Sequence, residues 1–346
     1  MRLLQVMSGA RVGGAEAFFE RLVPALSIVG IEQHAVIRHH RERAAALAAA
    51  RVPVTQMGFG GPLDFFTGRA LGRTVRAFRP DVVLSWMSRA SRFVPGPRFR
   101  QRHPFVHLGR LGGHYPLKYY RHCDALIANT RGVADYIAEA GWPADRIRII
   151  PNFVEAQPAM PVERAEFATP ENVPLALALG RLHRNKAFDV LIRALAEAPE
   201  VWLWVAGEGP ERGALRRLAR RAGVEGRVRF LGWRDDVPAL LQAADMLVCP
   251  SRVEPLGNVV LEAWACRRPV VAAAAAGPRE LILDGKTGLL VPVEDASALA
   301  AAMTRVVNER VLQNTLADAG HAAYKASFTR EAVILRYLDV FREFTS

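Results

Sequence analysis

Two carboxylates lie in a segment whose residue pattern favours ligand chemistry. Glu254 and Glu262 stand eight residues apart, where a short apolar strand is predicted to give way to a helix. Pro255 disfavours the helical conformation for Glu254, so Glu254 belongs to the loop, and Glu262 falls on the second turn of the helix. Gly257 and Asn258 mark the helix start, with free backbone N–H groups and a positive dipole end. This combination predicts a site for a ligand with hydroxyl and phosphate groups, such as a nucleotide sugar.

Two basic side chains form a second candidate site. Arg181 follows the predicted strand 175–179 and Gly180, and Lys186 comes five residues later at the start of a predicted helix. A diphosphate can be bound without a metal by two converging cations, because arginine supplies a fork of donors and lysine a point charge. The alternative is a solvated basic loop, since Arg184 lies between them.

Glycine pairs follow two further predicted strands. Gly13 and Gly14 come after the first strand and precede a helix, and Gly207 and Gly209 follow the strand 201–206. Glycine lets the backbone approach a ligand closely, and a helix N-terminus favours phosphate. For Gly13 and Gly14, an ordinary turn is the alternative.

Taken together, the motifs resemble family 4 of the retaining glycosyltransferases, also called glycosyl transferases group 1. Members of this family have the GT-B fold, in which two doubly wound, Rossmann-like α/β domains face each other across a cleft. The resemblance is dense from about residue 175 to 303 and thinner before that. Its segments are Gly13–Glu16, Gly180-Arg181 with Lys186, Gly207–Pro210, Val228–Gly232, Glu254–Glu262, and Gly277–Glu280 with Gly285–Gly288.

The resemblance implies a role for each candidate residue. Arg181 and Lys186 would bind the donor diphosphate and stabilise it as the leaving group, and Glu254 would lie near the transferred sugar. Glu262 would contact the ribose hydroxyls of the donor. The remaining donor-binding residues implied by the family are Gly13, Gly14, Gly207, Gly209, Leu231, Leu256, Gly257 and Asn258. Two positions depart from the family pattern: Ala187 replaces a usual glycine, and Leu256 a frequent aromatic residue.

A catalytic base is the least defined part of the predicted site. Members of the family often carry a histidine at the end of an N-terminal-domain strand, and His107 and His114 are the candidates here. The strand is predicted to end at Leu108-Gly109, and Arg110 occupies the more suitable position. Retaining enzymes of this family need no protein nucleophile. The identity of the catalytic base is left open. No metal site and no cofactor are expected, because no Asp-x-Asp motif occurs.

Short apolar runs alternate with amphipathic stretches along the whole chain, as in parallel sheets covered by helices. The predicted strands are 2–7, 33–38, 82–85, 104–108, 125–129, 148–151, 175–179, 201–206, 228–231, 245–249, 270–273 and 288–291. The predicted helices are 15–29, 65–78, 130–140, 187–198, 210–222, 237–243, 259–266, 296–308 and 330–344. We expect an N-terminal acceptor-side domain over 1–155, a proline-rich linker over 156–174 and a nucleotide-sugar domain over 175–327. The resemblance implies that a final helix in 328–346 crosses back to the N-terminal domain.

Net positive charge is concentrated in the N-terminal half, because acidic residues are fewer there. The net charge is +12, and residues 1–172 hold 23 of the 46 Lys and Arg residues but only 14 of the 34 Asp and Glu residues. Arg69, Arg73 and Arg76 share a helical face beside Phe65 and Phe66. This pattern suggests reversible contact with an anionic membrane or an acidic acceptor, and a compositional bias toward arginine is the alternative. No segment is apolar for long enough to span a bilayer, so we expect a cytoplasmic protein, peripheral on the inner face of the membrane.

The sequence therefore predicts a metal-independent retaining transferase that moves a sugar from a nucleotide-diphosphate sugar to a saccharide or lipid-linked acceptor. Lipopolysaccharide or a related envelope glycan is the expected product. A nucleotide-sugar epimerase of the same fold is the alternative. A nicotinamide-dependent oxidoreductase is disfavoured because its glycine fingerprint is absent. Nucleic acid is not an expected partner, since no basic stripe with interleaved aromatic residues occurs.

Overall fold

The computed structural model describes residues 1–11, 13–61, 64–155 and 159–345. The chain forms two compact units: unit 1 comprises Met1–Asn152 and Arg330–Ser346, and unit 2 comprises Phe153–Thr329. Each unit contains one sheet whose strands are all parallel.

The sheet of unit 1 has seven strands in the order β3-β2-β1-β4-β5-β6-β7. These are β1 (Arg2–Met7), β2 (Glu32–Arg38), β3 (Val54–Met57), β4 (Val82–Trp86), β5 (Val106–Leu111), β6 (Ala125–Ala128) and β7 (Ile147–Ile149). The sheet of unit 2 has six strands in the order β10-β9-β8-β11-β12-β13. These are β8 (Leu175–Leu179), β9 (Trp202–Ala206), β10 (Val228–Gly232), β11 (Met246–Cys249), β12 (Val270–Ala273) and β13 (Leu289–Val291).

Helices connect the strands, because parallel neighbours need crossover connections. In the first part of the chain they are α1 (Gly14–Ile28), α2 (Arg41–Ala49), α3 (Phe65–Phe78), α4 (Met87–Phe93), α5 (Pro97–Arg100) and α6 (Arg131–Glu139). The remainder are α7 (Phe188–Glu197), α8 (Arg212–Arg221), α9 (Val237–Ala243), α10 (Asn258–Ala265), α11 (Ala276–Leu281), α12 (Ala296–Asn308), α13 (Arg310–Ser327) and α14 (Arg330–Thr345).

The central strands are apolar because helices cover both faces of each sheet. All five residues of β8 are buried, and so are all five of β4. Local capping sets several helix starts: the Asp64 carboxylate accepts the backbone N–H of Thr67 at 2.9 Å, and Asp295 does the same for Ala298 at 2.8 Å. These caps satisfy N–H groups that have no acceptor within the helix.

The structure differs from the prediction in unit 1. Strand β5 begins at Val106 and continues to Leu111, so the predicted end at Leu108-Gly109 is wrong. The sequence pattern at Gly109 and Arg110 predicts the end of a strand, but Arg110 is buried within the strand. The pattern also gave no sign of β3 or α2. Strand β3 is a four-residue edge strand, and α2 has no regular apolar period, since only Arg43 and Leu47 are buried in it.

The segment 159–174, expected as a linker, packs on unit 2, and the boundary between the units falls at Asn152-Phe153. The Arg164 guanidinium donates to the carbonyl of Ala243 at 2.7 Å and to the Asp245 carboxylate at 3.1 Å. The Trp204 indole donates to the Thr169 hydroxyl at 2.9 Å. The proline-rich segment 159–174 is therefore irregular in conformation, but hydrogen bonds hold it to the rest of unit 2. Residues 156–158 of the expected linker lie outside the described residues.

Helix α14 belongs to unit 1 and packs against α1. Arg110 donates from Nε to the Tyr337 hydroxyl at 2.7 Å and from Nη2 to Asn152 Oδ1, also at 2.7 Å. The Arg148 guanidinium pairs with the Glu343 carboxylate near the end of the helix. The C-terminal helix is thus held to the first sheet by guanidinium groups on β5 and β7.

Candidate active site

The candidate residues of unit 2 follow two adjacent central strands. Strand β8 pairs with β9 on one side and with β11 on the other, so the direction in which the chain winds reverses between β8 and β11. The loop after β8 holds Arg181 and Lys186, and the loop after β11 holds Glu254. Ligands of doubly wound sheets bind beyond the carboxyl ends of the strands at such a switch point. The topology therefore brings together two motifs that are 68 residues apart.

Lys186 and Glu254 are in direct contact. The Lys186 ammonium donates to Glu254 Oε2, and the carboxylate is buried, with 8% of Glu254 exposed. Ser251 Oγ approaches Oε2 at 3.4 Å, and the backbone N–H of Gly257 approaches Oε1, also at 3.4 Å. A buried carboxylate is stable only when cations and donors compensate its charge. The ion pair supplies that compensation and fixes both side chains at the edge of the sheet.

The loop around Glu254 is pressed against the start of α11. The backbone N–H of Gly277 donates to the Glu254 carbonyl at 2.7 Å. A Cβ at Gly277 would stand 2.5 Å from the carbonyl carbon of Leu256. Leu256 is itself 6% exposed. The absence of a side chain at Gly277 therefore lets the start of α11 pack closely against the loop after β11, and Leu256 is buried in that contact.

The glycines after β9 allow close backbone packing with the loop after β8. Gly207 has φ +149°, and a Cβ there would overlap the carbonyl oxygen of Gly180. Gly209 similarly approaches the carbonyl of Leu182, and the backbone N–H of Leu182 donates to the Glu208 carbonyl at 2.9 Å. The glycines are explained by this packing; contact with a nucleoside stays a prediction.

The remaining donor-side residues lie at the same edge of the sheet. Arg181 is exposed on the loop after β8, and Leu231 is half-buried near the end of β10. Asn258 is the first residue of α10, and Glu262 lies one turn later, half-buried. Helix α10 thus presents its N-terminus beside the loop that carries Glu254.

Sequence reasoning missed Arg252, which fixes the loop after β11. Its guanidinium donates to both carboxylate oxygens of Asp189 at 2.8 Å and to the Arg184 carbonyl at 2.8 Å, and it pairs with Glu294. Hydrogen bonds from Arg252 lower the pKa of Asp189. Arg252 therefore connects the loops after β8 and β11. Its position two residues before Glu254 is the only sign of this role in the sequence.

In unit 1 the glycine loop after β1 encloses a carboxylate. Glu16 is 5% exposed, and its Oε1 accepts the backbone N–H of Ala10 at 2.6 Å. Added Cβ atoms at Gly9 and Gly13 would both overlap the Glu16 side chain, whereas Gly14 has open space around it. Val12 lies outside the described residues. The loop around Gly13 is thus ordered by Glu16, and its predicted contact with a diphosphate stays a prediction.

His107 is buried in the first sheet. It is 1% exposed, and its Nε2 lies 2.8 Å from the Ser85 hydroxyl. Burial, and secondarily the charge of Arg100, lowers the pKa of His107 to about 3. A general base must reach the proton that it removes, and this ring has no access to solvent. The geometry favours a structural, neutral histidine over the predicted catalytic role. His114 stacks on Tyr136 with ring centroids 4.5 Å apart.

The described residues contain neither a candidate metal site nor a helix that could span a membrane. Within residues 1–11, 13–61, 64–155 and 159–345, no group of three or more His, Cys, Asp or Glu residues could hold a metal ion. No helix in the described parts of the chain is long and apolar enough to cross a membrane.

Comparison with known proteins gives two family matches that together cover most of the chain. The family model for Glycosyltransferase Family 4 matches residues 12–157, and the model for Glycosyl transferases group 1 matches residues 173–309. The boundary between them falls close to the boundary between unit 1 and unit 2.

Individual relatives match nearly the full length. The lipopolysaccharide core biosynthesis glycosyltransferase LpsE of Rhizobium meliloti is 38% identical, with 95% of each chain covered. The related LpsD of the same organism is 36% identical over 99% of this chain and 98% of its own. Among solved structures, Anabaena Alr3699/HepE in complex with UDP superposes with a TM-score of 0.87 at 22% identity, covering 99% of this chain and 100% of that one.

These findings confirm the predicted family and fold. The relatives are more than 30% identical over almost the whole chain, and both sheets have the doubly wound parallel arrangement. The chain therefore belongs to glycosyltransferase family 4, the glycosyl transferases group 1, and is a glycosyltransferase with the GT-B fold.

Proposed function

We propose that this glycosyltransferase transfers a sugar from a nucleotide-diphosphate sugar to a saccharide or lipid-linked acceptor of the lipopolysaccharide core, with retention and without a metal. The observation that carries the acceptor class is the full-length similarity to LpsE and LpsD, both named for lipopolysaccharide core biosynthesis. The nucleotide-sugar donor is supported by the charged loops at the β8/β11 switch point.

The donor side of the proposal depends on charge. Arg181 and Lys186 stand on one loop beyond β8, and Lys186 already contacts a buried carboxylate. A departing nucleoside diphosphate develops negative charge, and preorganised cations stabilise such charge best where water is excluded. Arg181 is exposed, so it is free to turn its guanidinium fork toward phosphate oxygens. Two cations placed in this way supply the neutralisation that a divalent metal provides in other transferases.

The proposed reaction needs no protein nucleophile. The bond between the anomeric carbon and the diphosphate oxygen breaks, and a bond to the acceptor hydroxyl forms on the same face of the sugar. The hydroxyl proton passes to an oxygen of the departing phosphate. Arg181 and Lys186 stabilise that phosphate, and Glu254 lies at the sugar end of the site, where its carboxylate holds Lys186 in position.

A donor screen followed by product analysis tests this function. Thermal shift with UDP, GDP and ADP identifies the nucleotide, and its sugar derivatives are then incubated with lipopolysaccharide core acceptor. We expect one nucleotide to raise the Tm, and the glycosidic product to keep the anomeric configuration of the donor by NMR. An inverted product would contradict retention. Conversion of the donor sugar without any acceptor would identify an epimerase instead.

We also propose that unit 1 binds anionic membrane surfaces through α3. In that helix Arg69, Arg73 and Arg76 are exposed, and Phe65 and Phe66 at its start are 64% and 84% exposed. Basic residues near an anionic surface contribute on the order of 1 kcal/mol each, screened over about 8–10 Å. Exposed aromatic residues can enter the interface. Such contact would place the enzyme on the cytoplasmic face, beside a lipid-linked acceptor.

Vesicle sedimentation tests the membrane proposal. The protein should bind phosphatidylglycerol vesicles at low salt, release them at high salt, and ignore phosphatidylcholine. Replacing Arg69, Arg73 and Arg76 by Gln should abolish most of the binding and spare nucleotide binding. If the unmodified protein ignores anionic vesicles at low salt, the arginine excess is compositional.

A further inference from the structure

A basic cavity lies within unit 1. Its volume is about 570 Å³, and its walls come from the carboxyl ends of three adjacent strands. Gly9–Arg11 follow β1, Arg38–Arg43 end β2 and begin α2, and Gly58 follows β3. Carboxyl ends of parallel strands are where sheets of this class bind ligands.

The charge of this cavity is not balanced by the protein. Arg11, Arg38 and Arg41 are exposed, and no carboxylate stands within 4 Å of their guanidinium groups among the described residues. Glu42 is the one acidic residue among the described wall residues. Three guanidinium groups around one concave space repel one another, so the arrangement favours an anionic ligand.

The wall behind these arginines is rigidly built. Arg43 is 2% exposed and donates from Nε to Glu20 Oε1 at 2.7 Å and from Nη2 to the carbonyls of Ala10 and Arg11 at 3.3 and 3.4 Å. His40 Nε2 lies 3.2 Å from the Arg11 carbonyl, and its backbone N–H donates to Gln56 Oε1 at 2.9 Å. The buried arginine is thus neutralised by Glu20 and holds the loop that carries Arg11. Preorganised walls lower the entropy cost of binding.

We propose that this cavity binds a phosphate group carried by the saccharide acceptor. Guanidinium forks match phosphate oxygens in pairs, and three forks suit a dianionic monoester better than a neutral sugar. The proposal rests on the proposed function, because it assigns part of the acceptor to unit 1. It gives a role to the three exposed arginines, Arg11, Arg38 and Arg41, in the wall of this cavity.

Titration calorimetry of the full chain with glucose 6-phosphate, inorganic phosphate and glucose tests the proposal. Glucose 6-phosphate and phosphate should bind, and glucose should not. The double variant Arg38→Gln/Arg41→Gln should weaken glucose 6-phosphate binding by about 10-fold or more, because hydrogen bonds between charged groups are lost. The matched variant Arg69→Gln/Arg73→Gln removes the same charge elsewhere in unit 1 and should retain the original affinity.

Each outcome decides the matter. Because Arg38 and Arg41 are exposed, the double variant should keep the Tm of the original protein. If its Tm falls, the single variants Arg38→Gln and Arg41→Gln should each still lower the affinity for glucose 6-phosphate about 3-fold. Failure of glucose 6-phosphate to bind more tightly than glucose overturns the proposal, and so does equal weakening by the matched variant. If no nucleoside diphosphate binds the chain, the proposed function fails, while the glucose 6-phosphate comparison still decides the role of the cavity.

Discussion

The two units share a parallel, doubly wound sheet but compensate charge in different ways. In unit 2 the cation beyond the central strand, Lys186, contacts the buried carboxylate of Glu254. In unit 1 Arg110 is a cation buried within a strand of the sheet, and it stands over the rings of Phe18 and Trp86 at 4.6 and 4.8 Å and bonds to neutral partners. The same topology thus holds a charge pair in one unit and an aromatic-enclosed charge in the other. Function on this fold is decided by side chains at the strand ends.

Gly207→Ala should have the largest effect, because it tests the close contact of loops in unit 2. The new Cβ would overlap the Gly180 carbonyl at a φ of +149°, so we expect the free energy of unfolding to fall by about 3 kcal/mol or more. Urea denaturation measures it. Gly213→Ala on α8 is the control: its Cβ would meet only the flexible end of Arg217 at 3.5 Å, and we expect no loss of stability. Equal effects would contradict the packing account.

Glu262→Ala tests the predicted contact between unit 2 and the donor nucleotide. Glu262 stands on α10 one turn beyond Gly257, where a ribose hydroxyl pair would lose a charged acceptor worth about 1.5–3 kcal/mol. We expect the Kd for the preferred nucleoside diphosphate to rise accordingly while the Tm is kept. An unchanged Kd by calorimetry in a folded variant would remove Glu262 from the donor site.

Tyr337→Phe tests how unit 1 tolerates its buried cation. The substitution removes the acceptor of Arg110 Nε, and an unsatisfied buried donor costs about 1–3 kcal/mol. The double variant Arg110→Met/Tyr337→Phe removes the charge as well, and we expect it to recover at least half of the loss in urea denaturation. A double variant less stable than Tyr337→Phe would show that the cation itself stabilises the unit.

The stability of the protein in acid should depend on His107 of unit 1. Burial lowers the pKa of His107 to about 3 in the folded protein, against an unfolded value near 6.5. Below pH 6.5 the unfolded state binds the extra proton, so the stabilising effect of the neutral ring is complete above that pH and declines toward pH 3. His107→Gln should therefore lose less stability between pH 7 and pH 5 than the original protein, as measured by urea denaturation. Parallel pH profiles would show that His107 does not titrate on unfolding.

Much of the fold could be predicted because buried parallel strands are short apolar runs: 175–179 and 270–273 match β8 and β12 residue for residue. The burial of Arg110 could not be predicted, because a charged residue after glycine is typical of the end of a strand. The candidate motifs were visible in sequence, but their juxtaposition was not. The contact between Lys186 and Glu254 depends on β8 and β11 being neighbours, which local sequence does not specify.

The central claim is that cations of the protein, and no metal, stabilise the leaving diphosphate in unit 2. Steady-state kinetics of Lys186→Ala in excess EDTA test it most directly, with Lys325→Ala, an exposed lysine on α13, as the matched control. We predict that the original protein and Lys325→Ala keep full activity in EDTA and that Lys186→Ala lowers kcat by ~10²-fold or more. Loss of turnover on chelation that manganese restores, or a Lys186→Ala variant as active as the control, would contradict the account.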